Sequence, residues 1–180
     1  LLHHRVAVAL EQIHGPADDS ISAQIAAHFR LAGNAQAAIG WYQRAAERAL
    51  RLFAYQDAIT MLETGLSMMR LLPSGPMRVE LELELQTCLC TAWASITSYL
   101  GREADVAYAR ALELCRQVEQ TPHLFTVLWG LHAIALYRAE YAKSLALAHQ
   151  CLEIAMDLGD PGLLLEAHHA IWGPCYLLGD

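Results

Sequence analysis

The sequence AIGWYQRA occupies residues 38–45 and places a small residue at Ala38, a large one at Tyr42 and a small one at Ala45. On a helix, offsets of four and three residues lie on one stripe. Small side chains on such a stripe allow the axis of a neighbouring helix to approach closely. This stretch therefore predicts a helix that packs tightly against a second helix.

The same small–large–small spacing recurs further along the chain. It is present in AITMLETG at residues 58–65 and in ADVAYARA at residues 104–111, and Ser144, Ala148 and Cys151 repeat it with a smaller middle residue. Successive occurrences begin 20, 46 and 40 residues apart. A recurrence of this length is typical of helical-hairpin repeats, whose hairpins bury their apolar faces against one another. We therefore expect the small positions to be buried at contacts between helices.

Apolar spacing and glycine or proline breakers divide the chain into about nine predicted helices. The stretch VELELEL at residues 79–85 alternates as a strand does, but Leu81, Leu85 and Leu89 also share a helical stripe. No other segment offers a strand partner, so we predict a helix there and an all-α fold. The predicted helices span residues 2–13, 18–32, 35–53, 55–71, 76–99, 102–119, 122–138, 141–157 and 162–178.

Gly173 and Pro174 interrupt the last predicted helix. Proline has no amide hydrogen, and its ring collides with the carbonyl four residues earlier, here that of Ala170. Two outcomes are open: the helix continues with a kink at this point, or it ends near Trp172.

Composition excludes several classes of protein. The 180 residues are 55% hydrophobic and 17% charged, with a formal net charge of −7. The apolar content excludes intrinsic disorder, and the acidic balance disfavours a direct nucleic-acid contact. The longest nearly uncharged apolar run, residues 124–137, is too short to span a bilayer. Five widely spaced cysteines favour reduced thiols, so we expect a cytoplasmic protein. From the length and the points above, we expect a single domain over residues 1–180 with no membrane or nucleic-acid partner.

Catalytic and cofactor motifs are absent from the sequence. It contains no phosphate-binding glycine loop, no dinucleotide fingerprint, no His-Glu-x-x-His and no Gly-x-Ser-x-Gly. We therefore expect a protein that is not an enzyme and that needs no cofactor. His132 and Cys151 fall at positions that the repeat spacing places together in one hairpin. They are either a packed imidazole beside a small thiol, which we favour, or a metal- or redox-responsive site.

Five residues match the tetratricopeptide repeat position by position: Phe29, Gly33, Ala38, Tyr42 and Ala45. The chain resembles that family over nearly its whole length, and Leu131-His132 and Ile171-Trp172 fall where the family has its leucine-glycine pair. The period near 40 residues is similar to that of the longer repeats in large bacterial signalling proteins. There, such a region follows an ATPase module in transcriptional activators and in ATPase-linked adenylate or guanylate cyclases. Residues 121–131 are especially similar to the cyclase-linked group, and residues 2–11 to the helix that enters such a region.

The resemblance implies a right-handed α-solenoid whose concave groove binds ligands or partner peptides. It implies a regulatory or scaffolding segment that binds a protein partner, another copy of itself or an adjacent domain, in signalling or transcription regulation. A sensor for a small-molecule inducer is the alternative that we keep open. By register, the groove residues are Trp93, Thr97, Thr126, Trp129, Ala133, Tyr137, Glu166, His169 and Gly173. The tryptophans among them are equally compatible with packing between hairpins.

The last predicted helix lacks the second helix of a hairpin after residue 178. A solenoid normally needs a polar capping element at such a place. We therefore expect the chain to be a fragment of a longer multidomain protein. We also expect the face around Leu163, Ile171 and Leu177 to drive self-association, giving a homodimer.

Overall fold

The computed structural model describes residues 1–14, 19–118 and 123–179, and these residues form helices without any strand. Met69–Leu71 is a short 3₁₀ turn. The α-helices in the described residues are α1 (Leu2–His14), α2 (Ser22–Leu31), α3 (Ala35–Arg51), α4 (Tyr55–Met68), α5 (Pro76–Thr97), α6 (Arg102–Cys115), α7 (His123–Tyr137), α8 (Tyr141–Leu158) and α9 (Pro161–Leu178). The predicted all-α class is confirmed, and the alternating stretch at residues 79–85 is helical within α5.

Polar caps and prolines start several of these helices where the sequence predicts a break. The side chain of Asn34 accepts a hydrogen bond from the amide of Ala37 at 3.2 Å and so caps α3. Asp160 does the same for α9 by accepting from the amides of Gly162 and Leu163 at 2.8 and 3.1 Å. These bonds satisfy amides that have no partner within the helix.

The observed helices differ from the predicted ones mainly at their ends. α2 begins at Ser22, later than predicted, whereas the predicted limits at residues 18, 119 and 122 lie outside the described residues. α3 and α5 each end two residues earlier than predicted. Phe53 follows α3 with a φ angle of 59°, and Ser98 and Tyr99 follow α5 with φ angles of 49° and 65°. A left-handed residue ends a helix, and here none of the three is the glycine that would signal it in the sequence.

The repeated small–large–small positions are buried, as predicted. All twelve residues of the four occurrences lie in the interior, including the six that we expected at close helix contacts. Those six are Ala38, Ala45, Ala58, Ala104, Ala111 and Cys151. Their burial explains why the spacing recurs, since larger side chains there would separate the helices.

Contacts between residues divide the chain into two compact units, Leu1–Ala92 and Trp93–Asp180. We call them the N-terminal and the C-terminal unit. In the N-terminal unit α1 packs on α2, α2 on α3 and α3 on α4. In the C-terminal unit α6 packs on α7, α7 on α8 and α8 on α9, and α7 also contacts α9. None of the helices in the described residues has the length and apolar character needed to cross a membrane.

Helix α9 continues through Pro174 to Leu178, so the alternative that it ends near Trp172 is wrong. The proline ring is fully buried, which offsets part of the cost of placing it inside a helix. Because Pro174 has no amide hydrogen, the carbonyl of Ala170 lacks its usual partner four residues later. Whether the axis bends there stays a prediction.

Candidate recognition site in the C-terminal unit

Aromatic side chains from α7 and from the turn that follows α5 meet in the C-terminal unit. The rings of Tyr99 and Tyr137 stack with an interplanar angle of 13° and a centroid distance of 5.8 Å. The ring of Trp129 lies 6.5 Å from that of Tyr99 and 6.2 Å from that of His132. We call Tyr99, Trp129 and Tyr137 the aromatic cluster.

Local backbone geometry places the Tyr99 ring in this cluster. Ser98 and Tyr99 are consecutive residues with positive φ, a conformation that costs non-glycine residues free energy unless their surroundings hold them in it. The stack with Tyr137 and the contact with Trp129 are such surroundings. Tyr99 is not among the predicted groove residues, since nothing in its neighbouring sequence signals a left-handed backbone.

Trp129 combines a packing role with a buried donor that is left unsatisfied by the described residues. Its ring packs against the buried group that includes Phe125, Leu128 and Cys151. Its indole Nε1 is nevertheless buried without a hydrogen-bond partner in the described part of the chain. A buried donor left unsatisfied costs about 1–3 kcal/mol, so an acceptor that reached it would bind with that advantage.

The outer part of the aromatic cluster is open to solvent. The side chain of Tyr137 is 61% exposed, whereas Tyr99 is half-buried. Partial burial and the neighbouring Tyr137 raise the pKa of the Tyr99 phenol, so the hydroxyl stays protonated and able to donate. The cluster thus presents aromatic faces together with neutral polar hydrogens, a combination enriched in recognition surfaces.

The other predicted groove residues take different positions in the same unit. Thr97 donates its hydroxyl to the carbonyl of Trp93 at 2.8 Å, which satisfies it within α5. Ala133 is buried, so its side chain packs in the interior instead of lining a surface. Thr126, Glu166 and His169 are exposed. A Cβ atom on Gly173 would lie 3.6 Å from Leu136, so α9 approaches α7 closely at that glycine.

His132 lies beneath Trp129 and is satisfied by the facing helix. Its Nδ1 atom is 2.8 Å from the hydroxyl and 3.2 Å from the carbonyl oxygen of Ser144 on α8. Burial lowers the pKa of the imidazole, an effect that the Ser144 carbonyl opposes and the nearby His169 reinforces. The histidine is therefore held neutral in the interior.

His132 and Cys151 do not form the pair that the repeat spacing predicts. The Cys151 thiol donates weakly to the carbonyl of Phe125 at 3.9 Å, two turns away from the contact between His132 and Ser144. Along α8, Ser144 and Cys151 are separated by about 10 Å of helix rise, so the hairpin register keeps the two side chains apart. Burial raises the pKa of this thiol to about 12, which keeps it protonated.

Metal ligation finds no further support in the described residues, which contain no group of three or more histidine, cysteine, aspartate or glutamate side chains able to hold an ion. All five cysteines lie in the described ranges, and no disulfide joins them.

Comparison with known proteins adds no relative to this picture. No protein-family model matches the sequence, and no curated protein is significantly similar to it.

Proposed function

We propose that this chain is a non-catalytic recognition segment that binds an extended protein segment through the aromatic cluster. The observation that carries the proposal is the Tyr99–Tyr137 stack, of which the Tyr137 ring is exposed, beside a buried indole N–H that lacks an acceptor in the described residues. The stacked rings offer flat apolar area at low entropic cost, and the indole and phenol hydrogens fit the carbonyl oxygens of a peptide backbone.

The architecture that we propose around this cluster is a right-handed, tetratricopeptide-like α-solenoid. Within each unit consecutive helices pack on one another, and the contact of α7 with α9 fits a stack of hairpins. The burial of all four small–large–small stripes supports the same interpretation. In such a protein the segment would act as a scaffold or regulator next to an ATPase-linked signalling or transcription module, and it would bind a partner, an adjacent domain or a second copy. Five cysteines without a disulfide favour the reducing cytoplasm.

Selection from a displayed library of random peptides tests the binding role. The purified protein is panned against the library, and the enriched peptides are measured against the wild type and against variants Tyr137→Ala and Trp129→Phe. Tyr137→Ala removes half of the stack, and Trp129→Phe keeps an aromatic ring but removes the indole N–H. We expect each variant to weaken binding about tenfold, the equivalent of a lost aromatic anchor or hydrogen bond.

Phe53→Ala is the control for this selection, because Phe53 is an exposed aromatic residue after α3 and not a member of the aromatic cluster. The control should leave the affinity of the selected peptides unchanged. A library that yields no binding peptide, or peptides that bind Tyr137→Ala as tightly as the wild type, contradicts the proposal.

A sensor for a small-molecule inducer is the second candidate function, favoured by the unsatisfied Nε1 atom of Trp129. An aromatic metabolite with an acceptor atom would stack on the tyrosines and accept from the indole. A panel of such metabolites should then raise the melting temperature of the wild type and not that of Trp129→Phe. Peptide binding without any metabolite response favours the first function over this one.

A further inference from the structure

The N-terminal unit contains a cavity of about 630 Å³ that is separate from the aromatic cluster. It is open to solvent and is lined by α3, by the segment that joins α4 to α5 and by the first turns of α5. Its wall is largely apolar, formed by Leu72, Pro73, Pro76, Met77 and Leu81. The volume is within the range of pockets that hold one small organic molecule, about 300–1,000 Å³.

One stripe of α5 supplies the polar side of this cavity. Met77, Glu80, Leu81 and Glu84 are spaced by three, four and seven residues, which places them on one helical face, and all of them line the cavity. Glu80 and Glu84 therefore stand one turn apart beside the apolar wall. They belong to the alternating VELELEL stretch, and they have no part in the binding role proposed for the aromatic cluster.

The charges around the cavity favour a cation. Glu84 accepts a hydrogen bond from the Gln43 amide at 3.3 Å, which orients the carboxylate without neutralising it. Arg78 also lines the cavity, so the lining carries one cationic and two anionic side chains and keeps a net negative charge. Two like charges one turn apart cost a helix about 0.2–0.5 kcal/mol, a repulsion that a bound cation relieves.

We propose that this cavity binds a small organic cation, an apolar amine whose ammonium group lies between Glu80 and Glu84. Its hydrocarbon part packs on Leu72, Met77 and Leu81, where burial supplies most of the binding free energy. The ammonium group donates to the two carboxylates, which sets the preference for a cation over a neutral or anionic analogue of the same shape. This site is independent of the protein-binding role proposed for the C-terminal unit.

Three probes of one shape test the proposal: 4-phenylbutylamine, 4-phenylbutan-1-ol and 4-phenylbutanoate. Their affinities for the whole protein are measured by calorimetry at neutral pH and low ionic strength. We expect the amine to bind about tenfold or more tightly than the alcohol, since a charge-assisted hydrogen bond is lost with the charge. We expect the carboxylate to bind more weakly still.

Two variants locate the binding within the cavity. Glu80→Gln/Glu84→Gln keeps the side-chain shapes and should weaken amine binding about tenfold, with little effect on the alcohol. Gly40→Leu should block all three probes, because Gly40 lines the cavity and a Cβ atom there meets nothing within 4 Å, so the added side chain has room without a clash. Glu82→Gln is the matched control: it removes a carboxylate from the same helix outside the lining and should leave amine affinity unchanged.

Four results would overturn the proposal. The first two are equal affinity for the amine and the alcohol, and tighter binding of the carboxylate than of the amine. The third is amine binding that the double glutamine variant or Gly40→Leu leaves undiminished. The fourth is no binding of the amine at millimolar concentration. None of them bears on the peptide selection with the aromatic cluster, because the two sites share no residue.

Discussion

Two alanines of α6 show how differently neighbouring residues are used. Ala111 is fully buried at a contact between helices, whereas Ala109, two residues earlier, is exposed. The interior of a protein is packed as densely as an organic crystal, so added volume at the first position must displace its neighbours. At the second position a larger side chain extends into solvent.

We expect Ala111→Leu to lower the free energy of unfolding by about 1–3 kcal/mol through overpacking. Ala109→Leu, the same substitution on the same helix, should change it by no more than about 0.5 kcal/mol. Urea denaturation monitored by circular dichroism measures both. Equal effects of the two substitutions would contradict the assignment of Ala111 to a close helix contact.

His132 is the residue for which the structure predicts a pH dependence. Burial holds the pKa of the folded imidazole below its ordinary value of 6.5, so below that pH the unfolded chain binds more protons than the folded one. The free energy of unfolding should therefore fall as the pH decreases below 6.5, by at most about 1.4 kcal/mol per pH unit.

His132→Gln should flatten this slope, as measured by urea denaturation between pH 7 and about pH 5. His168→Gln, the same substitution at an exposed histidine, is the control. A variant at His132 with the wild-type slope would show that this imidazole titrates equally in both states.

At the scale of elements, the approach of α6 to α7 depends on a missing side chain. A Cβ atom at Gly130 would lie 2.1 and 2.2 Å from ring carbons of Tyr108 and 2.3 Å from its hydroxyl oxygen, and Tyr108 is itself buried. Gly40 on α3 is also a helical glycine, but a Cβ atom there meets nothing within 4 Å. Substituting alanine at each glycine therefore separates the effect of packing on stability from the effect of helix propensity.

We expect Gly130→Ala to destabilise the protein by about 1–3 kcal/mol, because the tyrosine ring or the helix must shift. Gly40→Ala should stabilise it by about 0.5–1 kcal/mol, since alanine loses less backbone entropy in a helix. Thermal and urea unfolding of both variants give the comparison. Stabilisation by Gly130→Ala would mean that Tyr108 on α6 lies further from Gly130 on α7 than in this structure.

At the scale of the whole molecule, one exposed helix face is unusually apolar. Glu166 is the only charged residue of α9 apart from its histidines, and Leu165, Trp172 and Tyr176 are 72%, 65% and 72% exposed. The rings of Trp172 and Tyr176 stack on each other at 5.9 Å. A face of this kind rarely remains in contact with water in a monomeric protein.

We expect the protein to self-associate through this face as its concentration rises, with a larger mass in light scattering. Leu165→Glu/Trp172→Glu should shift the association to higher concentration, because it places two charges in the contact. Val106→Glu, which also adds a charge at an exposed apolar position on α6, should leave association unchanged. A wild-type protein that stays monomeric at high concentration would refute this prediction.

The sequence by itself determined the all-α class, the presence of each helix in the described residues, though not its ends, and the burial of the small stripe residues. These features depend on local chemistry, namely apolar periodicity, caps such as Asn34 and Asp160, and the volume of side chains such as Ala111. It also named Trp129 and Tyr137 as groove residues on α7, and the structure places the ring of each within 6.5 Å of that of Tyr99.

Only the tertiary structure decided the rest, because it depends on groups that are distant in sequence or on backbone angles without a sequence signal. Tyr99 joins the aromatic cluster through a left-handed backbone conformation, which a tyrosine in the sequence does not predict. The register of the α7–α8 hairpin depends on two helices together. It places Ser144 within hydrogen-bond distance of His132 and places Cys151 near the carbonyl of Phe125 instead. The cavity beside Glu80 and Glu84 exists because a loop and two helices leave space between them, and the alternating sequence alone cannot specify that space.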